Sequence, residues 1–165
     1  MEGPFKLKPV KLYLETSVWN FYYADDAPEK RDITRQFFEN YSRNQYELYI
    51  SDEVLREIGQ ANPNTQLLLR ELIQRYEPQI IDLSEEVEAL AQAYLEAKIL
   101  PPRCEVDCRH ASVATVYELD ALLSWNMKHL ANYRRMQAIN AINLLRGYGK
   151  HLELMVPMAV SEDES

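Results

Sequence analysis

Cysteine is scarce in this chain, with two in 165 residues, Cys104 and Cys108. Their spacing is neither that of a C-x-x-C redox pair nor that of a four-ligand zinc cluster, so both are expected as reduced thiols. His110 lies close by, but with no fourth ligand in view a Cys, Cys, His zinc site has little support. Long apolar runs are lacking too. Nothing approaches the roughly 18 consecutive apolar residues of a membrane span, and Met1 to Lys11 has no apolar stretch of the kind a signal peptide needs. The expectation is a cytoplasmic protein with no membrane partner. Positive charge is the third shortage: 18 Lys and Arg face 26 Asp and Glu, for a net charge of −8. That balance argues against broad, nonspecific nucleic-acid binding, which needs cations for phosphates. Basic residues do collect at Arg103, Arg109, Lys128, His129, Arg134, Arg135, Arg146 and Lys150. The collection reads equally well as solvated surface or as an RNA-binding rim. Internal repeats and linkers are missing.

What is present suffices for one core. At 47% apolar content, 165 residues can bury a substantial interior, so residues 1–160 are expected to form a single domain, with Ser161 to Ser165 a frayed acidic tail. Short β-prone runs alternate with helical stretches. Val10 to Leu14, Glu47 to Ile50, Gln79 to Leu83, Asp120 to Ser124 and Leu152 to Val156 read as five strands. A helix is expected from Asp26 and Pro28, where Asp26 with Glu29 resembles a capping box and Ile33, Phe37, Phe38 and Tyr41 recur at helical spacing. Ser51 and Asp52 open another helix, which Asn62-Pro63-Asn64 breaks. Further helices run from about Thr65 to Tyr76, from Ser84 to near Lys98, from Asp107 to Glu118 and from Tyr133 to Leu145, the last ended by Gly147 and Gly149. Alternation of this kind implies an α/β fold with a mostly parallel sheet covered by helices.

Three acids far apart in sequence, Glu15, Glu57 and Asp107, fall where these elements bring them to a common edge. A protein gains little by gathering carboxylates unless a cation joins them, and oxygen ligands select Mg²⁺ or Mn²⁺. Phosphodiester hydrolysis is the reaction such a site serves best. In a parallel sheet the ligand crevice lies beyond the carboxyl ends of the strands, which places Glu15, after the first strand, with Asn126, after the fourth. Asp120 is excluded, because six residues at about 3.3 Å each put it roughly 20 Å from Asn126, at the opposite edge. Each acid alone also has an ordinary reading: Glu15 as a helix cap, Glu57 as a solvated helix residue, Asp107 as an N-cap. Trp19 and Trp125 read as core more readily than as base-stacking platforms.

Four segments in register resemble the PIN domain and, within it, the toxin ribonucleases of the VapC type. They are Tyr13-Leu14-Glu15-Thr16-Ser17-Val18-Trp19-Asn20, Ile50-Ser51-Asp52-Glu53-Val54-Leu55-Arg56-Glu57-Ile58, Asp107-Cys108-Arg109-His110-Ala111, and Leu122-Leu123-Ser124-Trp125-Asn126-Met127-Lys128-His129-Leu130. The resemblance implies a PIN-like three-layer fold and Mg²⁺- or Mn²⁺-dependent cleavage of RNA, with Glu15, Glu57 and Asp107 as metal-binding and catalytic acids and Asn126 where many members carry a fourth aspartate. Asp107 is the carboxylate expected to orient or deprotonate the attacking water. Thr16, Ser17, Lys128 and His129 are candidates for substrate contact. An antitoxin partner covering the acidic edge is implied, and a homodimer, for which Phe37, Phe38 and Tyr41 are either surface or core. Two positions depart from the pattern: Glu at 15 is longer by one methylene, and Asn at 126 removes a charge. Those departures leave open a PIN-fold RNA- or protein-binding module with weak or lost catalysis.

Overall fold

The structure, a computed structural model, describes residues 8–41 and 45–160. The tail at 161–165 and the side chain of Tyr41 lie outside the described residues. Five strands form one sheet in the order β3-β2-β1-β4-β5, and every neighbouring pair is parallel. In chain order they are β1 (Val10–Leu14), β2 (Tyr46–Ser51), β3 (Gln79–Ile81), β4 (Ala121–Leu123) and β5 (Glu153–Met155). Among the described residues the α-helices are α1 (Thr16–Phe21), α2 (Pro28–Gln36), α3 (Asp52–Ile58), α4 (Pro63–Tyr76), α5 (Glu85–Glu96), α6 (Glu105–Val116), α7 (Tyr133–Leu145) and, after β5, α8 (Pro157–Val160). Among the described residues no helix is long and apolar enough to cross a membrane.

The strands bury their apolar residues where helices flank the sheet, β1 and β2 toward their carboxyl ends. Leu12, Tyr13, Leu14, Ile50, Leu122 and Leu123 are all fully buried, as parallel strands covered on their faces should be. The sheet grows from β1 in both directions, with β2 and β3 on one side and β4 and β5 on the other. The reversal leaves a crevice at the carboxyl ends of β1 and β4, the place where open α/β sheets bind ligands. Their pairing in register, Leu14 beside Leu123, sets Glu15 next to Ser124. Helix starts follow from side-chain caps: Ser51 accepts from the Glu53 amide, Asn62 from Thr65 and Ser84 from Val87.

Three expectations need correction. The Asp26 and Glu29 capping box does not form; Ala27 precedes α2 without a side-chain cap, Pro28 supplies the fixed φ of the first turn, and Arg31 pairs instead with Asp25 and Asp32. The helix expected through Tyr41 changes pitch at Phe37, continuing as a π-helical segment, Phe37–Tyr41. Phe37 and Phe38 are at most 1% exposed, so they do not form a homodimer surface. Phe38 packs against Trp19, Tyr22, Phe37 and Tyr76 with ring centroids 4.9–5.7 Å apart, and aromatic pairs at such spacing stabilise a core beyond their area. Finally, a short 3₁₀ turn, Pro102–Cys104, starts α6 two residues earlier than expected, so Asp107 is the third residue of the helix and not its cap.

Asp120 does lie at the far edge, just before β4. Its Oδ2 accepts from the Lys11 amide at 2.8 Å and its Oδ1 pairs with Lys150 at 2.8 Å, pinning the entry of β4 to β1. Burial opposes ionisation of its carboxyl, but these donors outweigh burial and hold its pKa below the usual value. A depressed folded pKa gives stability above the unfolded pKa of about 3.9 and loses it as pH falls through the folded value. Asp120→Asn is therefore expected to melt at a lower temperature than the native chain at pH 7, with the deficit closing below about pH 4. A deficit unchanged between neutral and strongly acidic pH would contradict this linkage.

Candidate metal and catalytic site

Glu15 leaves β1 at the crevice and caps α1. It is 6% exposed, a depth at which a carboxylate needs hydrogen bonds. Its Oε1 accepts from the Ser17 amide at 3.2 Å, the Ser17 hydroxyl at 2.5 Å and the Ser124 hydroxyl at 2.8 Å. Both serines are themselves fixed: Ser17 Oγ accepts from the Trp125 amide and Ser124 Oγ from the Asn126 amide, each at 2.8 Å. The capping reading of Glu15 is thus true of one oxygen, and all three of these donors converge on it.

Glu57 reaches the same crevice from α3, half-buried rather than solvated. Its Oε1 accepts from the Thr16 hydroxyl and from His110 Nε2, the latter at 2.8 Å. Burial alone would raise its pKa, but the His110 hydrogen bond and charge, with Thr16 and Arg56, outweigh burial and lower it. His110, fully buried on α6, faces Tyr13 Oη with Nδ1 at 2.6 Å, and Tyr13 Oη lies 2.8 Å from Ser51 Oγ. A carboxylate only accepts, so Nε2 carries the proton toward Glu57. Burial lowers the His110 pKa, yet Glu57, Glu15 and Asp107 together raise it on balance.

Asp107 projects from the first turn of α6. Burial pushes its pKa up to about 6, the charges of Glu15 and Glu57 push the same way, and His110 offsets part of the effect. Asn126 Nδ2 faces Asp107 Oδ2 at 3.4 Å, while Asn126 Oδ1 accepts from the His129 amide at 3.1 Å. The His129 amide fixes the amide orientation, so Asn126 presents nitrogen to the acid and turns its oxygen toward the His129 backbone. Among the described residues, one atom each from Glu15, Glu57 and His110 could hold a metal ion, all within 4.8 Å of one another. Both His110 nitrogens already have partners, Tyr13 and Glu57, which suits His110 to orienting Glu57; Glu15, Glu57 and Asp107 are the carboxylates at the crevice, with Asp107 outside the 4.8 Å set. Such a donor set fits a hard divalent cation, and the raised Asp107 pKa marks negative charge that the cation would neutralise.

The structure therefore brings together Glu15, Thr16, Ser17, Glu57, Asp107 and Asn126. The Thr16 and Ser17 hydroxyls are turned onto Glu57 and Glu15. Lys128 is exposed, and His129 joins the site through its backbone amide only; its Nδ1 is buried without a hydrogen-bond partner among the described residues. Trp19 and Trp125 are core residues, Trp125 Nε1 donating to Thr34 at 2.9 Å. Cys104 and Cys108 are free and buried, and His110 turns toward Tyr13 and Glu57 and forms no zinc site with them. Of the basic collection, Arg109 is paired with Glu53, Glu88 and Glu105, and Lys150 belongs to the opposite edge. Sequence reading missed His110 and Ser124. Both carried a signal: His110 lies one helical turn after Asp107, hence on its face, and Ser124 follows β4 directly.

No family model and no curated protein matches the sequence. Solved structures do, and they show the fold: it is shared with VapC toxin structures and is PIN-like. The chain is similar to VapBC2 from Rickettsia felis, bound to a DNA fragment from its promoter, with 18% identity and a TM-score of 0.54 over 89% of this chain and 98% of that one. It is also similar to VapC20 of Mycobacterium tuberculosis, a sarcin-ricin loop cleaving toxin, with 14% identity and a TM-score of 0.54 over 67% and 86% of the two chains.

The state of Asp107 has a measurable consequence in the metal-free protein. An acid whose folded pKa is raised stabilises the fold least when ionised, so stability declines as pH rises from about 4 toward 6. With a folded value of about 6, Asp107→Asn is expected to stabilise the chelator-treated chain by about 3 kcal/mol at pH 7.5 and by little at pH 3.5. Urea unfolding at the two pH values checks this, and a variant less stable at pH 7.5 would refute it.

Proposed function

We propose that the chain is a Mg²⁺- or Mn²⁺-dependent endoribonuclease, the toxin half of a toxin–antitoxin pair. The observation that carries this reading is the convergence of Glu15, Glu57 and Asp107 at the crevice between β1 and β4, in a fold shared with an RNA-cleaving toxin. When bound, the cation would neutralise charge on the phosphate and polarise its phosphorus. The chain's own residues do the rest. Glu15 and Glu57, each tied by donors to one oxygen, hold their carboxylates in fixed directions and so keep the site preorganised. Asp107, in the first turn of α6 beside Asn126, is the carboxylate assigned to take the proton of the attacking water at its Oδ atoms. His110 is a positioning residue that sets the Glu57 carboxylate through Nε2, and Tyr13 and Ser51 fix its ring from behind. A partner segment covering the acidic edge would silence the site, and a VapBC complex among the structural neighbours supports an antitoxin in that role.

A second reading, a PIN-fold RNA- or protein-binding module with weak or lost catalysis, is favoured by two features. Asn126 offers its NH₂ to Asp107 where a fourth acid would offer oxygen, and the longer Glu15 shifts its carboxylate by about one C–C bond length, roughly 1.5 Å.

An RNA-cleavage assay separates the two. The expected result is Mn²⁺- or Mg²⁺-dependent cleavage that falls by about 10²–10⁴-fold in Asp107→Asn and Glu57→Gln. Cleavage indifferent to chelator, or normal in both variants, would reject the ribonuclease reading. Glu15→Asp is expected to raise activity, and a clear fall would show that the longer side chain is integral to this site. For the positioning role, His110→Ala is expected to lower kcat by about 10–100-fold with KM little changed. His110→Gln, whose Nε2 can donate to Glu57 from a similar place, should recover most of that loss. Equal loss in both variants would contradict a role that rests on the hydrogen bond to Glu57.

A further inference from the structure

Beyond the acidic crevice, the end of α5, the loop after Asn126 and the start of α7 enclose a groove of about 550 Å³. Lys98, Lys128, Arg134 and Arg135 line it, and no carboxylate does. In a chain with 26 acids and 18 Lys and Arg, that is unusual. Other grooves that hold cations hold counter-ions as well, Lys30 with Asp26 and Glu29 among them, and two more are richer in charge. One sets Lys11 and Lys150 beside Glu47 and Asp120, and the other sets Arg56 and Arg109 among Glu53, Glu88 and Glu105. Among the described residues, Lys98, Lys128 and Arg134 form no ion pair, while Arg135 donates to the Ile99 carbonyl.

The arrangement costs the protein stability. Arg134 and Arg135 occupy the first turn of α7, the helix end where the backbone dipole disfavours cations. His129, beside the groove, has its pKa lowered by burial first and then by Lys128, Arg135 and Arg103, so positive charge crowds here with no paired anion among the described residues. An external anion would offset these costs. Tyr133, at the first position of α7, stands 66% exposed next to the arginines. A bare aromatic beside unpaired cations suits a polyanion that also carries stacking faces, and single-stranded nucleic acid has both. The groove also adjoins the acidic site: Lys128 lies two residues after Asn126, whose amide faces Asp107 and holds the His129 backbone.

We propose that the groove of Lys98, Lys128, Arg134 and Arg135, with Tyr133 at its lip, binds the phosphodiester backbone of a single-stranded RNA beyond the bond held at the acidic crevice. The inference rests on the ribonuclease reading and adds to it how an acidic protein holds a polyanion: through one local groove, with a register set relative to Asp107. Each cation that meets a phosphate then contributes to the salt dependence of binding, and Tyr133 contributes through one stacked base.

The test is fluorescence anisotropy of an end-labelled single-stranded RNA on the full chain in chelator, over a series of salt concentrations, followed by cleavage kinetics on the same RNA with Mn²⁺. Lys98→Gln, Lys128→Gln and Arg134→Gln change exposed side chains, and their folding is checked by melting temperature. Each is expected to weaken binding and to reduce the slope of log K against log salt by about 0.7. Tyr133→Ala is expected to weaken binding about fivefold or more. In cleavage, all four should raise KM more than they lower kcat. Unchanged slopes and unchanged KM in an RNA-cleaving protein would overturn the groove while leaving the ribonuclease reading intact. Groove-dependent RNA binding without cleavage would do the reverse. Groove-dependent binding of a poly-glutamate peptide or of phosphatidylserine vesicles, with RNA binding insensitive to the groove, would also overturn the inference.

Discussion

Carboxylate crowding at the crevice between β1 and β4 is the constraint on which the rest of this structure depends. Three acids share one partly buried space, and the strain is visible in Asp107, whose pKa is pushed up to about 6 by burial and by its neighbours. Like charges in a low-dielectric site are tolerated only when donors or a cation compensate them. The fold supplies donors first: Ser17 and Ser124 for Glu15, Thr16 and His110 for Glu57. Asp107 receives the long contact from Asn126 and a weak thiol hydrogen bond from Cys104. It is the acid left for a cation or a proton to satisfy.

The surrounding architecture keeps the acids from drifting apart. Glu15 is fixed by sheet register, its amide donating to the Leu123 carbonyl at 3.0 Å. Glu57 and Asp107 ride on α3 and α6, and these helices are tied next to the site. Buried Glu53 on α3 pairs with Arg56 of its own helix and, at 3.6 Å, with Arg109 of α6, which also reaches Glu88 on α5. Arg56 and Arg109 directly precede Glu57 and His110 in the chain, so the ion pairs set the directions of the residues that meet in the crevice. Breaking such a buried pair from one side leaves an uncompensated charge, which is why networks of this kind hold geometry more than they add net stability.

Much of this was legible in the sequence, for identifiable reasons. Strand and helix alternation fixed the parallel sheet, since a hydrophobic run bounded by turn residues can be covered in few ways. The same geometry placed Glu15 with Asn126 and sent Asp120 to the far edge, where Lys11 and Lys150 hold it. His110 escaped because its role comes from contacts of high sequence separation: Tyr13 and Glu57 lie 97 and 53 residues away. Only its i, i+3 relation to Asp107 hinted at a shared face. The failed capping box at Asp26 shows a local rule losing to tertiary pairing, as Arg31 takes Asp25. Phe37 and Phe38 are the reverse case, since helical periodicity marks an apolar face without saying whether protein or partner covers it. The orientation of the Asn126 amide was unreadable for a similar reason, because it depends on one hydrogen bond from the His129 backbone.

The central claim is that these acids exist in one place to hold a divalent cation. Calorimetric titration of Mn²⁺ into the chelator-stripped chain at neutral pH tests it most directly, with Glu57→Gln and Asp107→Asn alongside. The account predicts one site of stoichiometric binding in the native protein, weakened at least tenfold in each variant. A native chain that binds no Mn²⁺, or variants that bind it as tightly as the native chain, would contradict it.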